Sequence, residues 1–299
     1  MATVLVTGGT GFIGSRLCEA LHEKGHDFIV LSRRPDAARS KLPHAKAVEA
    51  WEPDAETVLP NAHCVVHLAG ETVASKWNSE KKRRIRESRV LSTRSLVASF
   101  SKMETKPEVF VCASAIGYYG AGTDEAFTEE SQVGSDFLAE VCQAWEAEAQ
   151  SAEELGIRVV RIRIGLVLGA NGGALQQMLL PFKMGVGGRL GSGNQWMSWV
   201  HIDDVVGIIL YALENREVVG ALNATAPEPV RNTEFTKTLG RVLHRPTLFP
   251  VPSFALKLRF GEFTNFLLMS QRVLPERTQA VGYEFRYTKI EPTLQACLS

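Results

Sequence analysis

The chain has 299 residues, 45% hydrophobic and 22% charged, and its 33 Lys plus Arg balance 33 Asp plus Glu for a formal net charge of zero. That length supplies a large core and material for a second lobe, while the charge balance argues against a global field drawing the chain to nucleic acid or an anionic membrane. No apolar run approaches the roughly 20 residues that span a bilayer, no basic-then-apolar leader precedes the first strand, and five cysteines without C-x-x-C spacing read as reduced core thiols, so a cytoplasmic protein is expected.

The first stretch carries the most chemistry. Val4-Leu5-Val6-Thr7 reads as a strand, followed by Gly8-Gly9-Thr10-Gly11-Phe12-Ile13-Gly14 and an amphipathic stretch to Lys24. Strand, tight turn and helix open a βαβ nucleotide-binding unit. Gly8 lets the chain reverse without a Cβ clash. Gly11 leaves space for the backbone to approach a pyrophosphate, and Gly14 lets the helix pack closely on the strand. The helix start offers unpaired N–H groups and a positive dipole end to phosphates. Gly8, Thr10, Gly11, Phe12, Ile13 and Gly14 are therefore expected cofactor contacts. A glycine triplet alone is weak evidence; its place between strand and helix gives it force.

Gly25 closes that helix, and His26 to Leu31 reads as a second strand. Ser32, Arg33 and Arg34 leave it, with no acid before Asp36. An NAD site places a carboxylate there for the ribose 2′-hydroxyl, whereas an NADP site places cations for the 2′-phosphate. NADP(H) is predicted, with Ser32, Arg33 and Arg34 in contact; the plainer reading is two solvated arginines ahead of a Pro turn. Asp36 to Pro60, flanked and interrupted by Pro35, Pro43, Pro53 and Pro60, reads as loops with one short strand near Ala47. His63 to Gly70 is a buried parallel strand ending in small residues, so Leu68, Ala69, Gly70 and Glu71 are expected along the cofactor. His63 and His67 lie about 13 Å apart on a strand, too far for one ion. They read as core or rim histidines, and no metal site is expected.

Trp77 to Phe100 reads as a long helix, with six basic residues in the nine from Lys81 to Arg89. Without interleaved aromatics this is a solvated face rather than a nucleic-acid surface. Arg86, Arg89 and Thr93 share one side by spacing, and Arg89 is expected to reach the cofactor. Glu108 to Ala115 forms a core strand running into Ile116-Gly117-Tyr118-Tyr119-Gly120. Asp136 to Leu155 is helical, with Gly156 as its stop. Arg158 to Gly169 alternates as a strand, and a buried arginine there needs an anionic partner; Arg163 is a candidate for a cofactor phosphate. Repeated strand–helix units predict an α/β fold, a doubly wound parallel sheet covered on both faces.

From Gly172 the pattern changes. Ala174 to Met184 reads as a helix, and the glycine-rich 185–193, with no strand before it, as a mobile loop or lid. Ser198 to Asp204 leads into a helix through Glu214, with Asp203 or Asp204 suited to its N-terminus. Phe254 to Phe266 reads as one hydrophobic helix. The predicted division is a Rossmann domain over 1–170, rejoined by 196–225, and a smaller, mostly helical substrate lobe from 171–195 and 226–299.

Together, Gly8 to Gly14, His67-Leu68-Ala69-Gly70, the strand end at Ser114 and Trp199-Val200-His201-Ile202-Asp203-Asp204 resemble the extended short-chain dehydrogenases/reductases. Gly70-Glu71, Trp77 with Ser88-Arg89, Ser114 to Gly120 and Gly191-Ser192-Gly193-x-Gln195-x-x-Ser198-Trp199 narrow the resemblance to an atypical branch. That branch is known as nucleoside-diphosphate-sugar epimerase or cell-division-inhibitor SulA-like. Ser270 to Arg277 resembles the small C-terminal domain of unknown function that accompanies it. The resemblance implies an NADP-binding Rossmann domain, a substrate lobe, and oxidoreductase or sugar-nucleotide epimerase chemistry on a small molecule.

One departure is chemical. The wider family uses a Tyr-x-x-x-Lys pair on the helix after the Ser strand, the tyrosine as acid/base and the lysine on the nicotinamide ribose. Here the matching helix reads Phe137-Leu138-Ala139-Glu140-Val141, and no Tyr-x-x-x-Lys occurs in the chain. Positioned acid–base catalysis contributes about 10²–10⁴-fold, so another group has to supply the proton. The resemblance implies that Ser114 polarises a carbonyl; Tyr118 or Tyr119 offers a phenol and His201 a titratable ring. Ser114 and Tyr118 are the candidate catalytic residues. The plainer readings are a local hydrogen bond, pocket walls and a loop brace. The alternative function is a catalytically weak or inactive NADP-binding regulator or sensor, which the resemblance links to cell division. Expected partners are a small-molecule substrate, no nucleic acid and no membrane, with a homodimer or protein partner left open.

Overall fold

The computed structural model describes residues 2–53, 58–170 and 172–298. In chain order it begins with β1 (Thr3–Thr7), α1 (Phe12–Glu23), β2 (Asp27–Ser32), α2 (Pro35–Lys41), β3 (Ala47–Ala50), β4 (Cys64–His67) and α3 (Ser79–Phe100). Next come β5 (Val109–Ala115), β6 (Ala126–Phe127), α4 (Phe137–Gln150), β7 (Arg158–Ile164), β8 (Leu166–Leu168) and α5 (Gly173–Lys183). Then follow β9 (Trp196–Met197), β10 (Trp199–His201), α6 (Ile202–Glu214), β11 (Gly220–Ala224), β12 (Val230–Arg231) and α7 (Asn232–Val242). The last are α8 (Ser253–Phe260), α9 (Phe263–Leu267), β13 (Arg272–Val273), α10 (Glu276–Ala280) and α11 (Ile290–Leu298).

The main sheet runs β11-β7-β5-β4-β1-β2-β3, with every pairing parallel. Strand order reverses between β1 and β4, which opens a crevice beyond their C-terminal ends. Strands covered on both faces must be apolar throughout. Accordingly Val4 and Val6 pack with Leu17 and Leu21 of α1 and Ile208 of α6 on one side. Leu5, Val65 and Phe110 pack with Phe100 of α3 and Trp145 of α4 on the other. A third cluster, including Leu175, Trp199, Phe235 and Leu294, gathers α5, α7 and α11. This is the predicted doubly wound α/β fold, with a helical region after residue 250.

Several expected elements differ, each for a local reason. The strand expected over Arg158 to Gly169 breaks at Gly165, where a Cβ would lie 2.6 Å from the Ser198 carbonyl oxygen. Beyond it β8 leaves the main sheet and pairs with β10. The hydrophobic helix expected from Phe254 to Phe266 splits at Gly261, at φ +59°. Residues 36–60 hold a helix as well as the short strand, because Pro35 initiates α2 instead of breaking it; positions 54–57 of that stretch lie outside the described residues. Asn78, not Trp77, starts α3, its side chain accepting from the Lys81 N–H. The helix expected from Asp136 to Leu155 ends as α4 at Gln150 and continues as a 3₁₀ turn to Leu155, with Gly156 left-handed at φ +78°. His201 rather than an aspartate caps α6.

Gly14 sets how closely α1 approaches β1. A Cβ there would collide with the Gly8 carbonyl oxygen and lie 2.8 Å from Gly9 Cα. Gly14→Ala is expected to destabilise the fold by roughly 1–3 kcal/mol, the range for overpacking, read as a lower urea midpoint; an unchanged midpoint would mean that α1 is free to move away.

Candidate cofactor cleft and active site

The β1–α1 turn is built for close backbone approach. Gly8 sits at φ +71°, and a Cβ there would lie 2.7 Å from the Leu68 carbonyl carbon. The Gly11 N–H donates to the Gly8 carbonyl at 2.9 Å, and α1 starts at Phe12 with no side-chain cap. Its first N–H groups thus face the crevice with the positive end of the helix dipole. Thr10 and Gly11 are exposed, and Phe12 and Ile13 half-buried. Phe12 turns toward the start of α5, where a Cβ at Gly172 or Gly173 would come within 2.6 or 2.7 Å of its ring.

Across the crevice, Leu68 to Glu71 leave β4. The Ala69 N–H donates to Thr7 Oγ1 at 3.3 Å, and Thr7 Oγ1 lies 2.6 Å from His67 Nδ1. Arg89 runs beneath this loop, donating to the Glu71 carbonyl at 3.1 Å, with its guanidinium 5.3 Å over Trp145. Arg89 thus braces Gly70 and Glu71 from below. Lys81, buried in the first turn of α3, hydrogen-bonds Glu71 and holds its carboxyl below the usual range, with Arg84 and Arg33 adding to the effect. Arg33 and Arg34 are exposed at the end of β2, and Ser32 Oγ accepts from the Arg34 N–H at 3.1 Å, shaping the turn.

The β5 end differs from expectation. Ser114 is 3% exposed and faces α4, donating to Glu146 Oε1 at 2.6 Å. Its hydroxyl proton is directed to that carboxylate rather than into the crevice. Arg163, expected at a phosphate, is likewise taken up inside the protein. Nε and Nη2 donate to Glu146 at 2.8 and 2.9 Å, and Nη1 donates to Tyr119 Oη at 3.0 Å and the Glu129 carbonyl at 3.2 Å. Burial alone would lower the Arg163 pKa, but the Glu146 bonds and charge raise it. The Tyr119 hydroxyl donates to Asn223 Oδ1 at 2.6 Å, and burial pushes its pKa up to about 12. Tyr118 is half-buried, with the Arg163 guanidinium 3.5 Å over its ring. His201 is buried against Tyr287 at 3.8 Å and accepts from the Asp203 N–H; burial lowers its pKa.

Sequence reasoning missed Glu146, Glu129 and Lys81. Glu146 was findable: it is the acid within the apolar run Val141, Cys142, Trp145 and Ala149 of α4, and a buried sheet arginine demands such a partner. At the positions matched to the acid/base pair, Phe137 packs on Trp77 at 5.5 Å and Val141 is fully buried. Phe263 of α9 closes on the same indole at 5.4 Å. No group of three or more His, Cys, Asp or Glu among the described residues has a metal-binding arrangement, and no helix among them is long and apolar enough to cross a membrane.

The sheet order, the glycine turn and the crevice at the switch point define a dinucleotide-binding Rossmann protein. Residues 4–224 match the NAD dependent epimerase/dehydratase family, and the chain belongs to it; residues 251–297 match a domain of unknown function, DUF1731. The chain is 43% identical to the chloroplastic epimerase family protein SDR39U1 homolog of Arabidopsis thaliana, over 99% of its own length and 86% of the relative. It is 38% identical to epimerase family protein YfhF of Bacillus subtilis, covering 99% and 98% of the two chains. The crystal structure of human epimerase family protein SDR39U1 with NADPH superimposes with a TM-score of 0.90 at 35% identity, covering 99% and 98%. A UDP-glucose 4-epimerase from Thermotoga maritima, at 20% identity and a TM-score of 0.79, shares the fold.

Two outcomes follow. Glu146→Ala strands a buried guanidinium and is expected to destabilise the protein by about 3–5 kcal/mol, which chemical denaturation reads directly. His67, fully buried between Thr7 and Ser92, has its pKa pulled down to about 3, by burial first and Arg89 second. The unfolded chain takes up that proton near pH 6.5 and the folded chain does not. Stability from this group is thus complete above about 6.5 and falls by up to about 1.4 kcal/mol per pH unit toward 3. Urea midpoints between pH 7.5 and 5 should show a steeper acid loss in the parent than in His67→Gln, if the variant folds; equal slopes would contradict this.

Proposed function

We propose that this chain is an NADP(H)-dependent oxidoreductase or epimerase acting on a small carbinol or carbonyl compound, with a proton donor other than a Tyr-x-x-x-Lys pair. The observation that carries the cofactor is the exposed pair Arg33 and Arg34 at the end of β2, with no carboxylate before Asp36, beside an uncapped α1. Gly8, Thr10, Gly11, Phe12, Ile13 and Gly14 would hold the pyrophosphate, and Ser32, Arg33 and Arg34 the 2′-phosphate. Leu68, Ala69, Gly70 and Glu71 would line the cofactor, with Arg89 fixing their loop. NADPH, when bound, supplies a hydride; the protein's part is position, a dry pocket and a proton. Trp77, Phe137 and Phe263 exclude water. Tyr118 is the favoured donor, since its ring is held by Arg163 and its hydroxyl takes no hydrogen bond among the described residues.

A second reading has its own support. Phe137 and Val141 carry no proton or charge, and the Ser114 proton is bound to Glu146, which suits a regulator whose NADP(H)-dependent shape acts on a partner, in cell division as the SulA-like resemblance implies. Purified protein incubated with NADPH and a panel of carbonyl compounds and nucleotide sugars, with product analysis for epimerisation, separates the two. Turnover lost in Tyr118→Phe supports the enzyme; tight NADPH binding with silence throughout supports the regulator. Arg33→Ala/Arg34→Ala is expected to weaken NADPH binding by about 10–100-fold, the worth of one charge-assisted hydrogen bond, while leaving NADH affinity nearly unchanged in fluorescence titration. Equal affinity of the parent for NADH and NADPH would sink the cofactor assignment.

A further inference from the structure

α8 lies across the C-terminal region with unequal sides. Its inner side is held: Leu256 is buried, and the turn at Gly261 brings Phe263 onto Trp77. Its outer side is bare. Phe254 and Leu258, one helical turn apart, are 76% and 82% exposed, and Leu248 and Phe249 ahead of the helix are 77% and 68% exposed. Leu180 and Met184 at the end of α5 extend the same edge. The segments are joined: the Val251 N–H donates to the Arg189 carbonyl at 2.8 Å, the Gly191 N–H to the Val251 carbonyl at 2.9 Å, and Arg245 Nε to the Lys183 carbonyl at 3.1 Å. Most of the large hydrophobic side chains exposed among the described residues fall here.

The charge on this edge is of one sign. No Asp or Glu occurs between Glu154 and Asp203, or between Glu234 and Glu262. Lys183, Arg245, Lys257 and Arg259 are exposed along it. Glu262, just beyond α8, pairs with Lys82, and Glu291 pairs with Arg241.

We propose that this edge docks on the surface of an anionic lipid bilayer, with Phe254, Leu258, Leu248 and Phe249 entering the interface and the four cations facing lipid headgroups. A lipid interface takes up protruding apolar tips without needing a shaped complement, and anionic headgroups answer the cations beside them. Protruding apolar tips with cations beside them, on stretches of chain that carry no Asp or Glu, match the demands of an interfacial site. The zero net charge, which argued against a membrane, averages over a surface that is locally segregated.

The test is co-sedimentation of the full chain with vesicles of phosphatidylcholine alone, or with roughly a third phosphatidylglycerol to supply the negative surface. Binding to the anionic vesicles that weakens as salt rises is expected. Lys257→Glu/Arg259→Glu should lower partitioning by about 25-fold or more, near fivefold for each cation lost. Phe254→Ser/Leu258→Ser should abolish it, with circular dichroism and melting temperature as in the parent. Absence of binding at low salt, equal binding to neutral vesicles, or variants that partition like the parent would overturn the proposal. So would a solution dimer that Phe254→Ser/Leu258→Ser dissolves, which would put a second copy of the chain on this face.

Discussion

The rest of the molecule depends on how near α1 comes to β1. With Gly14 against the Gly8 carbonyl, the first turn of α1 sits directly beyond the end of the strand. Its free N–H groups then point into the crevice between β1 and β4 rather than over the sheet face. The opposite wall follows from the same approach, because Gly8 leaves no room for anything but the backbone of Leu68 and Ala69. Thr7 and His67 then fasten the two strand ends through a buried bond at 2.6 Å. The shape of this turn is thus a consequence of packing.

A second polar system ties the C-terminal region to this frame. The Glu129 carboxylate accepts from the N–H groups of Asn223, Arg277 and Thr278 and from the Thr278 hydroxyl, joining the loop after β6, the edge strand β11 and α10. Asp204, at the start of α6, accepts from the backbone N–H groups of Arg286 and Tyr287 and from the Tyr283 hydroxyl. Each carboxylate replaces several backbone partners that loops would otherwise leave unsatisfied in the interior. The Asp-Asp of the segment after β10 is therefore divided in role, Asp203 pairing with Arg16 on α1 and Asp204 anchoring the chain some eighty residues on.

Much of this was legible in advance, for reasons that differ by element. The parallel sheet declared itself because strands buried on both faces are apolar without alternation, as in Val4 to Val6 and Val109 to Val111. The glycine turn was legible because only one geometry needs glycine at Gly8, Gly11 and Gly14 in that order. Breaks inside long elements were not, since Gly165 and Gly261 act through contacts with segments distant in sequence. Ser114 and Arg163 follow the same mechanism, each held by an internal partner distant in sequence. A serine at a strand end and an arginine in a sheet each announce a polar partner, and sequence offered a ligand where the fold supplies Glu146. Which partner wins depends on α4 rotating that one acid inward among Val141, Cys142 and Trp145, a fact of packing that no local spacing encodes.

The same competition for polar partners separates the β2 end of the cleft from the β5 end. At the end of β2, Arg33 and Arg34 are exposed and their guanidiniums make no hydrogen bond among the described residues, Arg33 acting on Glu71 only through its charge. At the β5 end, Arg163 and Glu146 neutralise each other, Ser114 and Tyr119 are drawn into that pair, and burial raises the Tyr119 pKa far above neutrality. A group so satisfied contributes rigidity and gives up reactivity, because moving its proton would unbalance a desolvated network. The aromatic contact of Phe137 and Phe263 across Trp77 then joins α4 to α9 at the place where a phenol and an ammonium would otherwise need water or substrate. Tyr118 meets that network through the face of its ring, under the Arg163 guanidinium, and its hydroxyl proton is not held by it.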